Sequence, residues 1–183
     1  MGVKLERYEA LVARIKEDLA FRFFPNNSAN AKEYYTLKHT LRIYDQIMSD
    51  ATELGGYPRT KGEQMMAGVV ALLHDVLEDT DITVAELTGL YQYDLERAFF
   101  GVKGASAAAV FVALVAITRN PGEEYAAYLR RVELNELATF VKVYDATDNL
   151  RSSYKNSNAT LAHRYVRALA VLCDTAVETD HAE

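Results

Sequence analysis

A single cysteine, Cys173, stands in a chain of 183 residues. It excludes an internal disulfide and is in keeping with a reducing cytoplasm. Prolines number only three and no low-complexity linker interrupts the chain, so one domain spanning residues 1–183 is expected. Net charge is −6, and the basic residues are scattered. Both facts argue against sequence-independent nucleic-acid binding, which depends on neutralising phosphates. The longest apolar run, Ala105 to Ile117, contains Ser106 and is too short to span a bilayer, so no membrane association is expected. The segment Met1 to Tyr8 mixes charge with apolar residues and does not read as a signal peptide. Half of the residues are hydrophobic, enough for one well-buried core.

Strand alternation is found nowhere, while helical periodicity is found nearly everywhere, which predicts an all-α fold. Leu5, Tyr8, Leu11, Val12, Ile15 and Leu19 form the apolar stripe of a first helix. Leu37, Leu41, Tyr44 and Met48 form that of a second, with His39 and Ile43 on another side. Lys61 to Asp79 contains a third, apolar all round from Ala67 to Leu73 and therefore buried. Thr83-Val84-Ala85-Glu86 is a capping box opening a short helix that ends near Tyr91, with a further turn over Asp94 to Phe100. Ser106 to Thr118 reads as a buried helix, and Asn120-Pro121-Gly122-Glu123 as a helix start. Helices are then expected over Glu124 to Glu133, Asn135 to Ser152 and about 158–177. Gly55-Gly56-Tyr57-Pro58 reads as a turn.

The chemistry gathers in two places. His74, Asp75, Glu78 and Asp79 fall within six positions, directly after the apolar run. At about 100° per residue they share one arc of a helix. Unpaired acids at the end of a buried helix are costly, and a bound metal removes the difficulty. The ordinary alternative is a solvated helix end. The second cluster is Lys142, Asp145 and Asn149, at i, i+3 and i+7 on one helical stripe. Asp148 lies off that stripe and reads as a surface acid. Of the four histidines, His163 and His181 lie late in the chain, which leaves His39 upstream of the main cluster. Taken alone, His39 would more often be a satisfied structural histidine.

These residues carry a resemblance. Leu72-Leu73-His74-Asp75-Val76-Leu77-Glu78-Asp79-Thr80 resembles the L-L-H-D-x-x-E-D-T segment of HD-superfamily phosphohydrolases, in particular the hydrolase domains of RelA/SpoT-type alarmone enzymes and the small alarmone hydrolases. Val141-Lys142-Val143-Tyr144-Asp145 with Asn149-Leu150-Arg151 is similar to their V-K-L-A-D-x-x-x-N-L/M-R segment. Arg119 to Arg131 resembles a T-R-x-x-G-E-x-Y-x-x-Y-L-x-R-V run of stand-alone members. The stretch Asn30 to Thr40 lacks the Arg-Lys pair, the glycine and both prolines that alarmone hydrolases carry around the first histidine, so guanine recognition is not implied for it.

The resemblance implies a multi-helix HD-domain bundle with the motifs inside about 31–152. It implies His39, His74, Asp75 and Asp145 as ligands of a divalent metal, with Mn2+ as the ion. Glu78 and Asp79 would activate water and orient it or protonate the leaving group. Asn149 would contact the nucleotide, with Lys142, Arg119 and Arg151 as phosphate-binding cations and Lys38, Arg42 and Arg130 as further candidates. Tyr125 and Tyr128 read as core packing. A mixed N/O donor set suits Mn, Fe, Co or Zn better than Ca or Mg. The expected activity is hydrolysis of a phosphate or pyrophosphate bond in a nucleotide. Guanosine tetra- or pentaphosphate, losing its 3′-pyrophosphate, leads. A deoxynucleoside monophosphate and the 2′-phosphate of NADPH are the alternatives in that class. A metal- or nucleotide-binding module without turnover is the alternative outside it.

Overall fold

A computed structural model describes residues 2–50, 58 and 60–178. The segment Gly55-Gly56-Tyr57 and His181 lie outside the described residues. The fold is an all-α bundle, with no strand among the described residues. Helix α1 (Gly2–Asp18) buries Tyr8, Leu11, Val12 and Ile15 on one stripe, whereas Leu5, at its outer end, is exposed. A π-helical turn (Leu19–Phe23) continues it. Asn27 closes that turn, its side-chain amide donating to the carbonyls of Ala20 and Phe24 at 2.7 Å each.

Helix α2 (Ala31–Ser49) is capped by Asn30, whose side chain accepts from the amides of Lys32 and Glu33. Its fully buried stripe is Thr36, His39, Thr40, Ile43 and Ile47, with Leu37 beside it. Leu41, Tyr44 and Met48, the stripe expected from apolar spacing, are only half-buried. The polar residues Thr36, His39 and Thr40 thus sit deeper than hydropathy would place them, because their partners come from other helices.

Helix α3 (Lys61–Leu73) opens with a capping box of Thr60 and Glu63 and is buried on every side from Met65 onward, as expected. It packs against α1 and α2, and against two later helices, α6 (Ala107–Ile117) and α8 (Glu136–Lys155), which makes it the axis of the bundle. The expected single helix to Asp79 is broken at His74-Asp75, and a short α4 (Val76–Asp79) follows. The break has a local cause. His74 Nδ1 lies 2.8 Å from the carbonyl of Ala71, the acceptor that a regular helix would offer to the amide of Asp75.

Thr83 and Glu86 form the expected capping box, but the helix it opens, α5 (Val84–Phe99), runs unbroken past Tyr91. Leu87, Tyr91, Leu95 and Ala98 keep one buried stripe through the expected break. Helix α6, capped by Ser106, buries only the face of Ala107, Val110, Ala113, Leu114 and Ile117, leaving Val112 and Val115 exposed. Asn120 to Glu123 is a turn rather than a helix start. The amide of Glu123 donates to the carbonyl of Asn120 at 3.1 Å, and Gly122 adopts φ 75°, the conformation a Pro-Gly type II turn requires. Helix α7 (Tyr125–Glu133) follows, then α8, capped by Asn135, and α9 (Ala159–Glu178) folds back along α8. One hydrophobic core runs from Tyr8 to Leu172. No helix among the described residues is long and apolar enough to cross a membrane.

Candidate metal centre

Three helices that are distant in sequence meet at one point. His39 of α2, His74 at the end of α3 and Asp145 of α8 are each 3% exposed, and one ligand atom from each lies within 4.8 Å of the others. His39 Nε2 is 2.8 Å from Asp145 Oδ1. His74 Nε2 is 3.8 Å from the same oxygen and 3.1 Å from Asp75 Oδ1, yet it hydrogen-bonds to neither and is a buried polar atom without a partner. Its Nδ1 is committed to Ala71, so in a neutral ring the lone pair of Nε2 faces the cluster. An orphaned buried nitrogen beside a carboxylate and a second imidazole is the arrangement a cation completes. The three residues can hold a metal ion. Asp75 is half-buried at the edge of the group, near His74 but outside the three-way cluster.

The electrostatics agree with this geometry. Burial opposes charge on His39, but hydrogen bonds to Asp145 and Asp148 outweigh it and push its pKa up to about 10. His74 is likewise raised against burial, chiefly by Asp75 and then Asp145. Burial raises Asp145, and Lys142 with the two imidazoles reverses that and holds it well below the usual carboxylate range. Three carboxylates, Asp75, Asp145 and Asp148, gathered around two imidazoles thus draw in positive charge.

Asp148 is not a surface acid. It is buried, its Oδ2 lies 2.7 Å from His39 Nδ1, and Arg42 grips it with two hydrogen bonds, of 3.1 and 2.8 Å. Asp148 therefore orients the imidazole from behind, the role carboxylates take toward metal-bound histidines. Arg42 is occupied by this carboxylate and is not a free phosphate contact. Sequence spacing held a signal for the pair: His39 and Arg42 at i, i+3 face Asp145 and Asp148 at i, i+3 across α2 and α8.

Around the cluster opens a cavity of about 310 Å3. Asp75, Glu78, Asp79, Arg119, Lys142 and Asn149 of the expected set line it. Glu78 accepts the backbone amide of Arg119 at 2.6 Å, and burial raises its pKa above the ordinary carboxyl value. Asp79 is held by Lys32 Nζ at 2.8 Å and by the Thr36 hydroxyl at 3.1 Å. Lys142 Nζ donates to Asp145 Oδ2 at 2.5 Å and Asn149 Nδ2 to Asp145 Oδ1 at 2.6 Å, so the α8 stripe converges on one carboxylate. Arg119 is anchored through its guanidinium to the carbonyl of Glu123, and Arg131 clamps the same turn by binding both Glu123 oxygens and the carbonyls of Val115, Ala116 and Thr118. That clamp fixes the Arg119 amide on which Glu78 rests.

Arg151 does not belong to the site. It is exposed and lines a separate groove with Gln46, Asp50 and Thr147, because two residues beyond Asn149 the helix has turned about 200° away. Arg130 is exposed outside the cavity, and Lys38 is exposed with its Nζ 5.6 Å from the Tyr34 ring. Tyr128 is core, as expected, its hydroxyl donating to Ile117 O at 2.5 Å, but it and Tyr125 also form cavity wall. Sequence reasoning missed Lys32, Tyr35, Thr36, Arg164 and Tyr165, which complete the lining. Tyr35 stacks on His39 at 5.9 Å and its hydroxyl reaches Asn149 and Ser152. No protein-family model matches the chain, and no curated protein matches it in sequence.

Proposed function

We propose that this protein is a metal-dependent phosphohydrolase acting on a nucleotide. The observation that carries the reading is the convergence of buried His39, His74 and Asp145, with the Nε2 of His74 making no hydrogen bond, beside a cavity lined by Lys32, Arg119 and Lys142. The resemblance of the His74 to Thr80 and Val141 to Arg151 segments to alarmone hydrolases supports Mn2+ as the ion and guanosine tetra- or pentaphosphate as the leading substrate, cleaved at the 3′-pyrophosphate. A divalent ion in this donor set supplies Lewis acidity, drawing charge from a phosphoryl oxygen and making water a stronger acid.

The protein's own residues supply the rest. Glu78, raised by burial and pinned by the Arg119 amide beside the cluster, is the proton acceptor. Asp79, with its two oxygens tied to Lys32 and Thr36, orients rather than moves. Lys142 is a buried cation whose pKa is raised well above the ordinary lysine value by Asp145 despite burial, so it stays charged beside a phosphate. Arg119 and Arg164 add guanidiniums at the cavity wall. Among the lining residues, the carboxylates Asp75, Glu78, Asp79 and Asp145 balance the cations Lys32, Arg119, Lys142 and Arg164. A divalent ion then leaves the cavity net positive, the sign a phosphate ester requires.

Ion-exchange analysis of products tests this, using Mn-loaded protein with guanosine tetraphosphate, NADPH, nucleoside triphosphates and deoxynucleoside monophosphates. GDP and pyrophosphate from the tetraphosphate are expected. Orthophosphate from another member, with the tetraphosphate untouched, replaces the substrate and keeps the chemistry. No product from any of them contradicts the assignment.

A further inference from the structure

Several basic side chains of this acidic protein are matched to acids. Lys32 meets Asp79, Arg42 meets Asp148, Arg131 meets Glu123 and Lys142 meets Asp145. One groove gathers cations with no acid in its lining. Between α7 and α9 runs a depression of about 540 Å3 whose lining includes Arg130, His163, Arg164 and Arg167 and no carboxylate. The arginines that form ion pairs among the described residues are Arg14, Arg22, Arg42 and Arg131, so none of these three is among them. Other grooves differ: the one between α1 and α5 mixes Arg7, Arg14 and Arg97 with Glu6 and Asp94, and the one beside the π-helical turn sets Arg22 against Asp81 and Glu86.

Arg164 and Arg167, at i, i+3 on α9, share a face with each other and face Arg130 of α7 across the groove. Like charges gathered this way raise one another's energy, and an anion between them removes that cost. The remaining lining is largely apolar, with Leu129, Val171 and the ring of Tyr125, on which the Arg164 guanidinium lies at 3.9 Å. We propose that this groove binds a phosphorylated small molecule of nucleotide size, at a site separate from the metal cluster. Guanidiniums bind phosphate oxygens two at a time, the volume suits a nucleotide rather than a bare ion, and the apolar side chains of Leu129 and Val171 offer a surface to a base. Tyr125 and Arg164 also line the metal-cluster cavity, so the ligand would rest on a wall that the two sites share.

Calorimetric titration of the full chain with ADP, GDP and inorganic pyrophosphate, in the presence of a chelator, tests the proposal. His163 ring resonances are followed in parallel and assigned through His163→Gln. Expected are nucleoside diphosphate binding, a shift of the His163 resonances, and at least a tenfold loss of affinity in Arg130→Ala/Arg167→Ala. Both arginines are exposed and neither lines the metal-cluster cavity, so a double variant with an unchanged circular dichroism spectrum isolates the groove. Unchanged affinity in that variant, or unmoved His163 resonances at saturation, overturns the proposal. Tighter binding of heparin or of anionic vesicles than of either nucleotide also overturns it, assigning the face to an extended polyanion. Every readout is taken without metal, so absence of hydrolysis at the cluster leaves them unaffected.

Discussion

Two carboxylates near the cluster divide the work by environment. Glu78 is raised by burial and held by one backbone amide, while Asp145 is held low by Lys142, His39 and His74. Replacing Glu78 with Gln should keep metal content, measured by elemental analysis, and lower turnover by roughly 10²–10⁴-fold. Asp145→Ala should lose metal and activity together. Asp148 acts only through His39: Asp148→Asn should weaken metal binding by about 10–100-fold, the usual cost of removing a carboxylate behind a ligating histidine. His39 makes this measurable by proton counting. With its pKa raised from 6.5 to about 10, it is protonated at neutral pH in the metal-free chain. Metal requires the neutral imidazole, so binding at pH 7 should release about one proton, seen as a dependence of calorimetric enthalpy on buffer ionisation. The same shift sets a stability window for the metal-free chain. The folded state binds a proton that the unfolded state lacks, so the His39 contribution is full below pH 6.5 and is lost as pH rises through about 10. Urea unfolding at intervals across that range should show falling stability, and a rise would contradict the His39 assignment.

At the scale of elements, close helix approach and local punctuation decide the outcome. A methyl group at Gly62 would lie 2.3 Å from the backbone carbonyl of Lys103, whereas one at Gly89, inside α5, meets nothing within 4 Å. Gly62→Ala should therefore lower unfolding stability by about 1–3 kcal/mol, and Gly89→Ala should raise it by about 0.5–1 kcal/mol. The elements were largely legible in the sequence. The buried stripe of α1, the Thr83-Glu86 capping box and the wholly apolar run of α3 each follow from local pattern. What local pattern could not carry was the continuity of α5 past Tyr91, which depends on the core it packs into, and the break at His74, which depends on an imidazole taking a backbone carbonyl. The buried face of α2 was misread for a related reason. Hydropathy favours Leu41, Tyr44 and Met48, but Thr36 and His39 are buried by hydrogen bonds to Asp79, Asp145 and Asp148 from other helices. Asp148 escaped detection because its partners lie more than one hundred positions away, and the matching i, i+3 spacings of His39 with Arg42 and of Asp145 with Asp148 gain meaning only once α2 and α8 are seen to pack.

Across the whole molecule, three helices bring together groups that no segment contains alone. Helix α3 lies at the axis and ends in His74, while α2 and α8 flank it and supply His39 and Asp145. The pair of motifs made His74 and Asp145 legible and the resemblance added His39, while Asp75, expected with them, stands at the edge of the group; the cavity wall was not legible, since Lys32, Arg164 and Tyr165 enter from the N-terminus of α2 and from α9, whose sequences carry no motif. A ligand that binds only the folded chain stabilises it by mass action, so metal at one hundred times its Kd should add about 2.7 kcal/mol of unfolding stability. The most direct test of the account is therefore Mn2+ titration, followed by electron paramagnetic resonance, of the wild-type protein and of His74→Ala with its helical circular dichroism verified. The account predicts one Mn2+ per chain in the wild type and a loss of affinity of at least about a hundredfold in the variant, whose missing Nε2 is the atom left without a partner. Equal binding by a folded His74→Ala chain, or none by the wild type, would contradict it.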